Sequence, residues 1–242
     1  SMVMSEHEKA LTAYHEAGHA IVMLKVKGHD PLHKVTIIPR GRALGVTMFL
    51  PERDSYSKSF TELKAMIYSL FGGRVAEELA FGKDFITTGA SDDLKKATGL
   101  ARRMVTEFGY SEKLGPLRYA DNEEEVFLGH SVSRQKNVSE ATAKRIDEEV
   151  RRLIEDAEAE ARRILVDKSD ELEWVAQGLL EFESLSGLEV NALVRGESIH
   201  RDDDRGSSSD TPRRTSIPTG GKTRPKKGPD SSGGIASDPE PQ

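Results

Sequence analysis

Residues Glu6 to Lys27 read EHEKALTAYHEAGHAIVMLKVK, and around the middle of this run the apolar side chains Leu11, Tyr14, Ala17, Ile21, Val22 and Leu24 fall on most sides of a helix. A helix that is apolar nearly all round is a buried one. Gly28 and then Pro31 stop it. Inside this buried helix lie His15-Glu16-Ala17-Gly18-His19, an H-E-x-x-H spacing. Positions four apart on a helix differ by about 40° of rotation and about 6 Å of rise, so both imidazoles leave the same face and can meet one ion. Glu16 projects beside that ion. Zinc in a catalytic site takes three protein ligands and a water whose pKa it lowers, and a neighbouring carboxylate can serve as the general base. His15 and His19 are therefore candidate metal ligands and Glu16 a candidate base.

Outward from this helix, β-rich runs at Lys34–Ile38 and Gly45–Leu50 flank Pro39-Arg40-Gly41-Arg42-Ala43-Leu44, which predicts a hairpin or two neighbouring strands. Helices are expected at about Ser57–Phe81, Ser91–Phe108, Val138–Val166 and Ser169–Glu181, with a short one near Leu188–Val194. The fold class is thus mainly α with a small β-hairpin or short sheet. An exposed edge of the Lys34 to Leu50 strands could align an extended chain by backbone pairing.

A third ligand must come from elsewhere. In a helix starting at Ser91, Asp93 shares a stripe with Ala97, Leu100 and Met104, whereas Asp92 shares its face with Lys96, Gly99 and Arg103. Asp93 is then either a ligand or a first-turn complement to the helix dipole with Ser91 as cap. Glu77 and Glu78 are rival ligands, following Gly72-Gly73, which reads as a turn into or within a helix. His7, His29, His33 and His130 have no partner at ligand spacing and read as loop or surface residues.

Composition limits the remaining functions. The 242 residues are 36% hydrophobic and carry 35 Lys+Arg against 41 Asp+Glu, a formal net charge of −6 that gives no general attraction to nucleic acid. No cysteine is present, so a metal must be held by imidazole and carboxylate. No apolar run approaches the roughly 20 residues of a membrane span. Ser1-Met2 resembles a tag scar, and residues 1–5 are read as an N-terminal end, 6–195 as the folded domain. Residues 197–242 hold six of the ten prolines, eight serines and no aromatic side chain other than His200, so 196–242 is expected to be a disordered polar tail. Gly221-Lys222-Thr223 lacks the earlier glycine of a phosphate loop, Ser216 standing there, and no ATP site is expected in this chain.

The blocks His15–Ala20, His33–Gly45, Phe71–Glu78, Thr88–Asp93 and Gly109–Pro116, in that order, closely resemble the FtsH family of ATP-dependent zinc metalloproteases, over about Glu6 to Val190. The resemblance implies a mainly α, helical zinc-peptidase domain, with zinc held by His15, His19 and Asp93 and Glu16 catalytic. Asp92 is a departure, since the family often has asparagine there. The resemblance further implies a homo-hexamer acting on unfolded or membrane protein substrates at the cytoplasmic face of the cell inner membrane. ATP and Mg²⁺ would bind only an ATPase module absent from this chain, the membrane would be reached only through absent N-terminal segments, and the fragment itself would be soluble. The alternatives are a catalytically silent oligomeric scaffold of the same fold and a hydrolase of small amides.

Overall fold

A computed structural model describes residues 3–52, 56–119 and 138–201. Helix α1 (Glu6–Lys25) begins at a capping box: the Ser5 side chain accepts from the Glu8 amide and the Glu8 carboxylate accepts from the Ser5 amide. It ends two residues earlier than its apolar pattern suggests, because Val26 turns extended ahead of Gly28, whose φ is 89°. Thr12, Ala13 and every residue from Glu16 to Val22 are buried, as expected for a helix without a polar face.

The main partner of α1 is α2 (Phe60–Phe81), capped by Ser59 and Glu62 in the same reciprocal way. Gly72 and Gly73 make no turn; both lie within the regular helix. Glycine in a helix interior costs about 1 kcal/mol relative to alanine, and here the cost has a structural counterpart. A Cβ on Gly18 would run into the Gly72 carbonyl, and a Cβ on Gly72 would lie 2.5 Å from the Gly18 carbonyl oxygen. The two backbones meet where neither has a side chain.

Helix α3 (Ser91–Thr106) packs on α2, and α4 (Glu140–Asp167) packs on α2 and α3, burying Ile146, Val150, Leu153, Ala157, Ala161 and Ile164 along one stripe. Helix α5 (Ser169–Phe182) covers α1, and α6 (Gly187–Val194) closes on α5.

Strands β1 (Leu32–Thr36) and β2 (Val46–Phe49) pair antiparallel; β1 begins two residues earlier than expected and β2 is trimmed by one residue at each end. A third strand, β3 (Ser184–Ser186), is not foreseen from the sequence. It pairs antiparallel with β1 and sets the order β2-β1-β3. Three residues are too few to show a period of two, but Leu185 opposite Val35 is fully buried and anchors them. The architecture is mainly α with a short sheet beside α1. Among the described residues no helix is long and apolar enough to cross a membrane. Most of the expected 196–242 tail, and His130, lie outside the described residues.

Candidate metal centre

His15 and His19 leave α1 on the side that faces α2, and the crossing there is shaped around them. A Cβ on Gly73 would stand 2.5 Å from His15 Nε2 and 2.6 Å from His19 Nε2. The missing side chain of Gly73 is thus the room in which the two rings meet. Their Nε2 atoms lie 3.0 Å apart, with the rings edge to face.

Each ring is held from behind. His19 Nδ1 lies 2.6 Å from the backbone carbonyl of Ser69, an acceptor, so Nδ1 carries the proton. His15 Nδ1 lies 2.8 Å from Glu77 Oε2. Glu77, only 1% exposed, is itself fixed by the amide and hydroxyl of Thr87, which donate to Oε1. Acceptors on both Nδ1 atoms leave the two Nε2 lone pairs for a ligand, the carboxylate–histidine arrangement that orients metal-binding imidazoles.

The third corner is Asp93, whose Oδ2 lies 3.2 Å from both Nε2 atoms. Donors about 2.0–2.2 Å from a tetrahedral zinc ion sit about 3.3 Å from one another. The observed triangle fits such an ion closely, and its nitrogen and oxygen donors suit zinc. Among the described residues this is where three metal-ligating side chains converge.

The other nearby carboxylates have partners of their own. Asp92 points outward and pairs with Lys96 at 2.6 Å. Glu78 binds Arg162 at 2.6 Å on α4. Glu77 is part of the cluster but contacts the far side of His15, at Nδ1, away from the two Nε2 atoms that Asp93 faces. Asp93 does lie in the first turn of α3, as the helix-dipole reading has it, but Ser91 is not the cap. The cap position is Ala90, which follows a 3-10 turn over Thr88–Ala90, and no side chain caps α3. His29 is half-buried, with Nε2 3.2 Å from Ser69 Oγ, and so is less superficial than its sequence surroundings suggest.

The electrostatics favour positive charge. Burial alone would depress His15, but hydrogen bonds to Asp93 and Glu77 and the charges of Glu16 and Asp93 outweigh it and push the pKa up to about 10. Burial would raise Asp93, yet the hydrogen bonds and charges of His15 and His19 hold it far below the usual carboxylate range. Glu77 is lowered too, against its burial, by His15 and Thr87. A proton or a divalent cation answers the same demand.

Glu16, 6% exposed, lies on the sheet side of the two histidines, where Thr47 Oγ1 of β2 donates to its Oε2 at 2.6 Å. The sequence gives no sign of this contact, nor of the roles of Thr87 and the Ser69 carbonyl, because each joins distant segments through one atom.

Residues 2–193 match Peptidase family M41. The chain is 54% identical to an ATP-dependent zinc metalloprotease FtsH of Caulobacter vibrioides over 209 residues, covering 86% of this chain and 33% of that protein. Against the FtsH of Photobacterium profundum it is 52% identical, covering 82% of this chain and 28% of the relative. Against FtsH 4 of Sorangium cellulosum it is 55% identical, with 82% and 31% covered. The chain thus spans about a third of the length of these relatives. With its helical crossing, its short sheet and a match over nearly the whole described part, the chain belongs to peptidase family M41.

Proposed function

We propose that residues 6–195 form a zinc-dependent endopeptidase domain in which His15, His19 and Asp93 hold the metal and Glu16 is the general base. The observation that carries this is the triangle of two Nε2 atoms and Oδ2, with sides of 3.0, 3.2 and 3.2 Å, beside a buried carboxylate. Zinc, when bound, polarises a carbonyl and acidifies water. Glu16 takes the proton as water attacks the peptide carbonyl carbon, and returns it to the leaving amine nitrogen. Glu77 and the Ser69 carbonyl keep the imidazoles in the tautomer that presents Nε2.

Among the described residues one edge of β2 is unpaired, and β2 carries Thr47, which contacts Glu16; that edge suits an extended substrate that pairs through its backbone. Proline at Val46, which leaves the Thr47 hydroxyl in place, should then impair cleavage with the fold intact, and unchanged cleavage would count against this docking mode. Each of these relatives is named an ATP-dependent zinc metalloprotease, and the resemblance to the FtsH family extends the proposal to a membrane-anchored quality-control protease whose other parts unfold membrane and soluble proteins and feed them to a hexamer of this domain, at the cytoplasmic face of the inner membrane.

A scaffold that had lost catalysis would have no use for a buried base beside the metal cluster. The decisive experiment measures zinc content and cleavage of unfolded casein for the native chain and Glu16→Gln, with and without chelator. Stoichiometric zinc and cleavage lost in both Glu16→Gln and the chelated protein are expected. Zinc bound with no cleavage by the native chain would favour the scaffold, and cleavage by Glu16→Gln would remove Glu16 from its role.

A further inference from the structure

Glu16 reaches the metal cluster from α1, but what limits its movement comes from β2. Thr47 Oγ1 lies 2.6 Å from Glu16 Oε2 and 3.1 Å from the Glu16 backbone carbonyl. A hydroxyl has one proton, and the shorter contact to a charged acceptor takes it. Two residues earlier, Gly45 presses on the same side chain. A Cβ there would lie 2.8 Å from Glu16 Cγ, 2.7 Å from Thr12 Cγ2 and 2.9 Å from the Thr36 carbonyl oxygen. The segment from Gly45 to Thr47 therefore forms one wall of the space that holds the base, and the Thr47 hydroxyl is its polar contact with it.

We infer that Thr47 is a positioning residue for the general base: its hydroxyl ties down Glu16 Oε2, leaving Oε1 as the oxygen that exchanges protons with water and the leaving amine. This inference rests on the reading of Glu16 as base. A carboxylate on a flexible stem has many rotamers, and a fixed donor selects one before substrate arrives, which is worth most when a proton must move along a defined line. It also ties catalysis to β2 itself. The strand that pairs with β1 through Val35 and Thr47, and whose other edge is open among the described residues, is the one that steadies the base.

The test compares zinc-loaded native chain with Thr47→Val, which keeps the shape, Thr47→Ser, which keeps the hydroxyl, and Glu16→Gln. Readouts are zinc content, kcat and KM on a short unstructured peptide, and the affinity of a peptide hydroxamate, whose zinc-binding group also hydrogen-bonds the base and needs no turnover. Thr47→Val should retain zinc, lose about tenfold or more in kcat with KM within about twofold, and bind the hydroxamate about tenfold more weakly. Thr47→Ser should recover to within about twofold of native. Adding Thr47→Val to Glu16→Gln should cost nothing further, because the two act as a unit.

Native kcat and hydroxamate affinity in Thr47→Val, or a Thr47→Ser variant as impaired as Thr47→Val, would overturn the inference while leaving Glu16 as base. Should Thr47→Val unfold the chain, Thr47→Ala removes the hydroxyl without demanding space and carries the same expectations. Unimpaired cleavage by Glu16→Gln would be the separate failure of the underlying reading.

Discussion

The two imidazoles and the carboxylate of the proposed metal site come from regions built in opposite ways. The histidine half lies where α1 and α2 cross, backbone against backbone at Gly18 and Gly72, and each ring is fixed at Nδ1 by a buried acceptor. The aspartate half is the first turn of α3, which starts from a 3-10 turn without a side-chain cap. Its Asp93 is about a fifth exposed, and the partners of its carboxylate are the histidines themselves. One half is assembled by the fold before an ion arrives. The other is positioned largely by what it binds, so damage to the first should cost more.

The hardest blow is a methyl group at the crossing. Gly73→Ala would place a carbon at 2.5–2.6 Å from both Nε2 atoms, and neither ring can retreat without losing its Nδ1 acceptor. Zinc affinity, measured by competition with a chromogenic chelator, should fall on the order of 10³-fold or more. Two ligands are disturbed at once, and a single supporting contact already accounts for about 10–100-fold. Native affinity in this variant would mean that the crossing does not preorganise the site.

Asp93→Asn removes the charge of the adjustable half and keeps its shape. A loss of about 100-fold in zinc affinity is expected, above the cost of losing a support and below that of Gly73→Ala. The same variant tests the electrostatics of the metal-free protein. His15 has its pKa raised from 6.5 to about 10, so its contribution to stability is fully present below about pH 6.5 and is lost as pH rises through about 10. The melting temperature of chelated protein should therefore decline across that window. In Asp93→Asn the window should narrow from the alkaline side, because the strongest of the upward influences on His15 is gone. At pH 7 the native chain should release about one proton on binding zinc, seen as a calorimetric enthalpy that varies with the buffer's ionisation enthalpy.

Glu77→Gln sharpens the comparison from within the rigid half. It keeps a hydrogen-bonding group behind His15 and removes the buried charge, so zinc affinity should drop about 10- to 100-fold while His19, bound to a backbone carbonyl, stays in place. The histidine ring signals in an NMR spectrum would separate the two: His15 should shift and His19 should not.

The same contrast explains what could be read from the chain alone. His15, Glu16 and His19 are legible because one helical turn brings them together, and the 3.6 period carries that information. Asp93 is half legible: its stripe with Ala97 and Met104 says inward, but inward towards what depends on packing with α2. Glu77 is indistinguishable in the sequence from its neighbour Glu78 as a rival ligand, and its place behind His15 becomes visible only in three dimensions. Thr47, Thr87 and the Ser69 carbonyl leave no pattern, because a single hydroxyl or carbonyl has no periodicity. The third strand is missed for a related reason, its three residues being held by Leu185 and by β1.

The smallest expected effect lies one residue from a ligand. Asp92 and Asp93 are adjacent carboxylates separated by about 100° on α3, and that angle alone sends one to Lys96 and the other to the histidines. Asp92 is largely exposed, so its pairing with Lys96 is screened by solvent and its charge reaches the cluster only weakly. Asp92→Asn should change zinc affinity by less than about twofold and leave peptide cleavage unaltered. A loss approaching that of Asp93→Asn would show that the first turn of α3 can rotate and offer either oxygen. The uncapped half of the site would then be looser than its contacts indicate, and the phase of the helix would no longer be what selects the third ligand.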